Sequence, residues 1–216
     1  MSAESGIQTF RDSDGLWEQH RIEDVATPEA WQKNRELVLE FYNLRHKHLL
    51  GVEPNSAHRD LVKLETKFDT TIITQNVDDL HERAGSSKVI HIHGELRKCR
   101  SEKNENYIID MPADGLKIGD KCPDGHQLRP HIVWFGEMVP EMDNALRAVQ
   151  AADILIAIGT SLNVYPAAGL VYAAKESAKV YLIDPGDFSH ADIRHLTHIQ
   201  KPATEGVKEL LHALLE

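Results

Sequence analysis

Five short hydrophobic runs in this chain predict buried parallel strands. Each run is rich in β-branched or other apolar residues and is bounded by turn-forming residues, and each has the length of a strand. The runs cover residues 70–74, 89–92, 132–135, 154–158 and 180–183. Strands of this kind are typical of a sheet that is covered by helices on both faces.

Helical periodicity lies between and around these runs. Apolar residues recur three, four and seven positions apart, which predicts helices with one face toward a core. The stripes are Leu37, Phe41 and Leu44; Leu61, Leu64 and Phe68; and Val207, Leu210, Leu211 and Leu214. Thr204 is a suitable N-cap for the last helix. Strands that alternate with helices predict a Rossmann-like, doubly wound α/β sheet.

Two stretches depart from this alternation and predict a small inserted lobe. A long helical pattern near residues 18–50 has no strand after it, and residues 97–127 are polar, rich in turns and contain both cysteines. We therefore expect one domain, residues 1–216. The Rossmann-like lobe is expected to comprise residues 1–17, 51–96 and 128–216, with approximate bounds. The small lobe is expected to comprise about residues 18–50 and 97–127.

Charge and cysteine content narrow the classes of partner. With 24 Lys and Arg against 34 Asp and Glu, the 216-residue chain carries a formal charge of −10, which disfavours binding to nucleic acid or to anionic membranes. No run approaches the roughly 20 apolar residues of a membrane span, and no signal peptide is visible at the first residues. Two cysteines, Cys99 and Cys122, do not make a disulfide framework. We expect a cytoplasmic protein.

The segment 74–81 carries the densest group of candidate binding residues. It reads Thr-Gln-Asn-Val-Asp-Asp-Leu-His and follows the predicted strand that ends at Thr74. Side chains at the carboxyl end of a parallel strand point into the crevice where open α/β sheets bind ligands. Gln75, Asn76 and Asp78 could bind ribose hydroxyls or an amide there, and the segment equally fits a capped helix start.

Two histidines alternate along the next predicted strand, residues 89–95. His91 and His93 are expected to project from one face, and Gly94 allows another group to approach the backbone closely. A histidine has a pKa near neutrality and can accept a hydroxyl proton. Strand histidines are also commonly structural.

Two further turns follow predicted strands. Gly159, Thr160 and Ser161 lead into a segment that Pro166 could open as a helix, an arrangement that can bind phosphate. Asp184 ends the next strand, where a carboxylate can bind ribose hydroxyls. Each turn is weak evidence by itself, and Asp184 also fits a simple turn residue.

Taken together, these motifs closely resemble the sirtuin family of NAD-dependent protein deacylases. The resemblance covers nearly the whole chain, in the order and spacing of that family. It rests on residues 2–11, 75–78, 91–94, 128–137, 159–161, 184–186 and 201–205. The resemblance implies that His93 is the general base, that NAD is the cofactor, and that the acyl group of an acyl-lysine passes to ADP-ribose with release of nicotinamide.

The resemblance also implies the binding residues. For the cofactor these are Ala3, Gly6, Ile7, Phe10, Arg11, Gln75, Asn76, Val77, Asp78, Gly159, Thr160, Ser161, Asp184, Pro185, Gly186 and Ala203. The acylated protein or peptide is expected to pair as an added strand along Val133, Phe135 and Gly136. Tyr42 and Arg45 match a Tyr-x-x-Arg pair found in the branch that removes succinyl and malonyl groups. Residues three apart share a helix face, so the two could bind a carboxylate together.

The chain departs from the family at two places. Many sirtuins carry two Cys-x-x-Cys pairs that bind zinc, whereas here only Cys99, Cys122 and possible third ligand His126 are present, so we expect no metal. The family also begins with an apolar strand and a Gly-Ala-Gly turn before the segment that starts at Ser2. That strand would be central in the sheet, so we expect the chain as given to have low stability and to bind NAD weakly.

Two alternative functions fit parts of this pattern. One is an NAD-binding or ADP-ribose-binding module without activity, and the other is ADP-ribosyl transfer to a different acceptor. His93 together with Tyr42 and Arg45 favours a deacylase, because neither alternative needs a group that recognises an acyl carboxylate.

Overall fold

Two parallel sheets and two small antiparallel sheets form the framework of the part of the protein that the structure describes. A computed structural model describes residues 1–8, 16–17, 20–160, 165–188 and 193–215. The elements within these ranges are β1 (Leu16–Trp17), β2 (His20–Arg21), α1 (Ile22–Val25), α2 (Pro28–Lys33), α3 (Arg35–Leu50), α4 (Ser56–Leu64), β3 (Ile72–Thr74), α5 (Leu80–Ala84), β4 (Val89–His91), β5 (Gly94–Ser101), β6 (Ile108–Asp110), β7 (Leu128–Ile132), α6 (Met142–Ala151), β8 (Ile154–Ile158), β9 (Lys179–Ile183), β10 (Leu196–Ile199) and α7 (Ala203–Leu215). Short 3-10 helices cover Ser2–Ser5 and Ala167–Ala173.

The parallel strands match four of the five predicted runs. β3 pairs with β4, and β9 lies between β8 and β10. Helices cover both faces. On one side Ile156 and Ile158 of β8 pack in a cluster with α4 and α7, whereas Leu155 packs on the other side with α6. Because successive residues of a strand point to opposite faces, this arrangement confirms the doubly wound α/β fold.

The fifth predicted run, residues 132–135, is not a parallel strand. β7 ends at Ile132 and pairs antiparallel with β5, which also pairs with β6. The chain then leaves the sheet, and the N–H of Phe135 donates to the carbonyl of Ala26 at 3.0 Å. The run is apolar for another reason: Trp134 is buried in a cluster with Trp31 and Phe41. An apolar run alone does not distinguish these two environments.

The helical predictions are correct in position and wrong in three details. Leu44 of α3 is 56% exposed, so it does not face the core. Phe68 packs against the core but lies beyond the end of α4 at Leu64. α7 begins at Ala203, so Thr204 is not its N-cap. Among the described residues, no helix has the length and apolar character that would let it cross a membrane.

The two parallel sheets are separated by an open slot. Hydrogen bonds to β4 use the main chain of Ile72 and Thr74, so the N–H and C=O of Ile73 point to the opposite side. On β8, the bonds to β9 use Asp153 and Gly159, and the same alternation turns the polar groups of Ile156 away from β9. Within the described part of the chain, β3 and β8 pair on one side only.

Candidate active site

A large cavity lies at the carboxyl ends of β3 and β8 and continues into the slot between the sheets. Its volume is about 1360 Å³. The structure brings most of the predicted site residues to its wall. Those that line it are Ala3, Ile7, Tyr42, Arg45, Gln75, Asn76, Val77, Asp78, His93, Val133, Phe135, Gly136, Gly159, Thr160, Pro185 and Ala203.

Six predicted cofactor residues are not among these. Gly6, Asp184 and Gly186 do not line the cavity. The Asp184 carboxylate is buried and accepts a hydrogen bond from the N–H of Gly186 at 2.8 Å, which is the turn role that the sequence left open. Phe10, Arg11 and Ser161 lie outside the described residues.

The first residues of the chain are fixed against the ends of both β3 and β8. Asn76 donates from Nδ2 to the Oγ of Ser2 at 2.7 Å. On the other side, Gly159 has a φ of +61°, and a Cβ there would lie 2.7 Å from the amino nitrogen of Met1. Only glycine allows both that conformation and that approach. The start of the chain therefore connects the two strand ends.

Asp78 is buried beside this contact. Its Oδ1 accepts from the N–H of Leu80 at 3.2 Å, at the start of α5. Burial raises the pKa of Asp78, although hydrogen bonds from Ser2 and Leu80 act in the opposite direction. The carboxyl group thus lies in the cavity wall and also bonds to the first residue of α5, but the N-cap of that helix is Asp79, so neither Asn76 nor Asp78 is the cap.

His93 has the geometry of a neutral base. Its Nδ1 lies 3.0 Å from the carbonyl oxygen of Gln75. Because a carbonyl oxygen only accepts, Nδ1 carries the proton and Nε2 keeps a lone pair. Burial lowers the pKa of His93, so the ring is neutral near pH 7. The carbonyl of His93 in turn accepts from the N–H of Val133 at 3.0 Å.

His91 has a different environment, although it lies only two positions away. Its Nε2 lies 2.6 Å from Oε1 of Glu82. Burial lowers the pKa of His91, but the hydrogen bond and charge of Glu82 outweigh it, and the net pKa is raised. His91 does not line the cavity. The two histidines are therefore distinguished by their partners.

Gly94 has a structural role that differs from the expected approach of a ligand. Its φ is +81°, and a Cβ at this position would lie 2.1 Å from the carbonyl oxygen of His131. β4 ends at His91 and β5 begins at Gly94, so His93 lies in the turn between them. The glycine lets β7 come close enough to hold this turn.

Tyr42 and Arg45 are buried in the wall of the cavity. Tyr42 is 1% exposed and Arg45 is 7% exposed, so this face of α3 is not solvated. The Oη of Tyr42 accepts from Nε1 of Trp134 at 3.0 Å. Burial raises the pKa of Tyr42 well above its usual value, and the phenol keeps its proton. A protonated phenol and a guanidinium both donate hydrogen bonds, which suits a carboxylate.

Glu4 is a site residue that the sequence analysis missed. Its carboxylate accepts from the N–H of Ala203 at 2.8 Å and from the N–H and Oγ1 of Thr204 at 3.1 and 2.6 Å. It therefore caps α7 and holds Ala203 beside the cavity, with the favourable charge for a helix N-terminus. No local signal could identify a cap that comes from about 200 positions away.

The cysteines are buried and bonded to oxygen atoms. The Sγ of Cys122 lies 3.2 Å from Oγ of Ser101, and burial raises the pKa of Cys99 to about 11. Across the described ranges, no three His, Cys, Asp or Glu side chains are grouped as metal ligands.

Known proteins match this chain along its length. A model of the Sir2 family matches residues 1–166. An NAD-dependent protein deacylase of Bacteroides thetaiotaomicron is 53% identical over 220 residues, which cover 100% of this chain and 94% of that protein. One from Helicobacter pylori strain 26695 is 50% identical over 216 residues, with the same two coverages. A crystal structure of a Sir2 homologue in complex with NAD has a TM-score of 0.87 and 41% identity, covering 99% of this chain and 85% of that one.

Proposed function

We propose that this chain, which belongs to the Sir2 family and is an NAD-dependent protein deacylase, preferentially removes succinyl and malonyl groups from lysine and also removes acetyl groups. The observation that supports this preference is the buried pair of Tyr42 and Arg45 in the cavity wall. An acetyl group ends in a methyl, whereas succinyl and malonyl groups end in a carboxylate. A buried guanidinium beside a phenol is suited to the second kind of group.

The cavity fits NAD. Gly159 and Thr160 line the cavity at the end of β8, where the glycine lets Met1 pack closely against the main chain. Polar side chains of Asn76 and Asp78 stand at the end of β3, the edge at which open α/β sheets bind dinucleotides. NAD supplies the ADP-ribose that accepts the acyl group, with nicotinamide as the leaving group. We propose that these residues orient its ribose and amide.

We propose that His93 is the general base. Its Nε2 lone pair can accept a proton from a ribose hydroxyl, and Nδ1 is held by the carbonyl of Gln75. The lowered pKa keeps Nε2 available near neutral pH. The ring then holds the proton without moving, because its other nitrogen remains bonded.

The acylated peptide is proposed to lie along Val133, Phe135 and Gly136. These residues line the cavity beside His93, and Phe135 is exposed. A peptide strand there would lie between the two lobes proposed from the sequence, with its acyl-lysine directed toward Tyr42 and Arg45. The acidic charge and two cysteines of the chain support action in the cytoplasm, which we also propose.

The preference is tested by comparing succinyl-, malonyl- and acetyl-lysine peptides of one sequence. We expect kcat/KM to be at least about tenfold higher on the acidic acyl groups, because charge-assisted hydrogen bonds are worth about 1.5 to 3 kcal/mol. Arg45→Met should remove that preference. The matched control is Arg35→Met on the same helix, because Arg35 bonds to Glu102 at 2.7 Å and does not line the cavity. Equal efficiency of the parent on all three peptides would contradict the proposal.

A further inference from the structure

We propose that Trp134 is a positioning residue for acyl recognition, because its indole N–H occupies the acceptor side of the Tyr42 hydroxyl and directs the phenol proton toward the acyl carboxylate. This inference rests on the proposed preference for acidic acyl groups. It concerns a residue whose side chain is almost fully buried and for which the sequence predicts no part in acyl recognition.

The inference depends on the direction of the hydrogen bond between Trp134 and Tyr42. An indole N–H can only donate, so in the 3.0 Å contact the Oη of Tyr42 must be the acceptor. The hydroxyl then still has its own proton to donate. Tyr42 lines the cavity, and among the described residues the structure gives its hydroxyl no protein acceptor. A carboxylate in the cavity would supply one.

Trp134 is itself held from three directions, so it can fix the phenol. The guanidinium carbon of Arg129 lies 3.3 Å from the centre of the indole ring. The main-chain N–H of Trp134 donates to Oε2 of Glu137 at 2.8 Å. Trp31 packs on the ring with a centroid distance of 5.8 Å. The indole therefore has little freedom to release the phenol.

Arg129 and Glu137 form the outer support of this arrangement. Arg129 donates to both oxygens of Glu137, at 2.6 and 3.0 Å, and to the carbonyl of Ile132 at 2.9 Å. This two-bond contact fixes the plane of the guanidinium that stacks on Trp134. The chain of contacts thus runs from the loop after β7 to the acyl-binding face of α3.

A purely structural role for Trp134 predicts a different result. If Trp134 only fills the core, its replacement would impair succinyl and acetyl substrates equally. If it positions Tyr42, the succinyl substrate would lose more, mainly through a higher KM. The ratio of kcat/KM on succinyl- and acetyl-lysine peptides therefore separates the two roles.

The test is Trp134→Phe, which removes the N–H and keeps an aromatic ring. We expect the succinyl-to-acetyl ratio to fall about threefold to tenfold, the range of a single hydrogen bond. The matched control is Trp31→Phe. Phenylalanine at this position keeps an aromatic ring against Trp134, and the N–H that it removes donates to Glu102 at 3.1 Å, away from the cavity. The control should keep the parent ratio.

A double-variant comparison tests whether Trp134 acts through Tyr42. In a Tyr42→Phe background there is no hydroxyl to position, so adding Trp134→Phe should change the ratio by less than about 1.5-fold. An undiminished fall in that background, or an unchanged ratio in the single variant, would overturn the inference. If Tyr42→Phe and Arg45→Met both leave the ratio unchanged, the proposed acyl preference fails instead.

A second measurement needs no change at Trp134. The chain has three tryptophans, so a ¹⁵N spectrum contains three indole N–H signals, and Trp17→Phe and Trp31→Phe identify that of Trp134 by elimination. We expect a succinyl-lysine peptide to shift this signal more than an acetyl-lysine peptide does. Equal shifts would overturn the inference even if Trp134→Phe does not fold.

Discussion

His93 and His91 show how far single residues could be predicted. The family resemblance predicts that His93 rather than His91 is the base, and the two side chains do have different partners, because His93 faces a carbonyl whereas His91 faces the Glu82 carboxylate. The burial of Tyr42 and Arg45 could not be derived from their spacing, since residues three apart on a helix are equally common on exposed faces. Trp134 stood out only as part of an apolar run and of the motif at residues 128–137, and neither assigned a role to its side chain.

At this scale we predict that His93→Ala abolishes deacylation and leaves NAD binding largely intact. The side chain moves a proton and carries no charge toward the cofactor, so kcat should fall about 10²-fold to 10⁴-fold. Turnover of a succinyl-lysine peptide and NAD titration by calorimetry measure the two effects. His91→Ala is the control, since His91 lies outside the cavity wall. Comparable turnover of His93→Ala and the parent would remove the assignment.

Strands were predicted correctly where their apolar pattern fits only one kind of packing. β3, β4, β8 and β9 were all found because their apolar residues pack into the helix-covered clusters on the two sides of the parallel sheets. The run at 132–135 failed because its apolar side chains serve a different core. The start of α7 was also misplaced, since its cap comes from Glu4 rather than from a neighbouring residue.

The contact between α4 and α5 predicts sensitivity to acid. His58 and His81 are buried with their rings 5.0 Å apart, and burial lowers their pKa values to about 3 and about 4. In the unfolded chain both titrate near 6.5. Unfolding therefore takes up protons as the pH falls below 6.5, and folding stability must decrease between pH 6.5 and 4.

Thermal melts between pH 7.5 and 4.5 measure this effect. His58→Leu removes one of the two groups, so its melting temperature should fall less steeply with acidification than that of the parent. His126→Asn, at an exposed histidine, should follow the parent. Parallel curves for the parent and His58→Leu would contradict the assignment of the acid sensitivity to this pair.

At the scale of the whole molecule, the main feature is the open slot between the two parallel sheets. Main-chain N–H and C=O groups on the facing edges of β3 and β8 point into this slot. Met1 lies at the end of the slot, where Asn55 donates to the carbonyl of Met1 at 3.2 Å. Each buried main-chain group without a partner costs about 1 to 3 kcal/mol. An extended segment that lay between these two edges could pair with both of them.

We therefore predict that fusing a five-residue apolar strand and a Gly-Ala-Gly turn before Met1 raises the melting temperature and strengthens NAD binding. The control has the same length, with proline at alternate strand positions, because proline lacks the N–H that pairing needs. Melts with and without NAD on the fusion, the control and the parent give the comparison. A parent that melts cooperatively and shifts with NAD as far as the fusion would show that the slot needs no strand.

The most direct test of the account is the balance of products from a succinyl-lysine peptide. We predict that each lysine freed is accompanied by one nicotinamide and one O-succinyl-ADP-ribose, followed together by mass spectrometry, and that no lysine is freed without NAD. Nicotinamide release without freed lysine would indicate ADP-ribosyl transfer. Binding of NAD with no product would indicate a silent module. Free succinate without NAD consumption would contradict the deacylase chemistry outright.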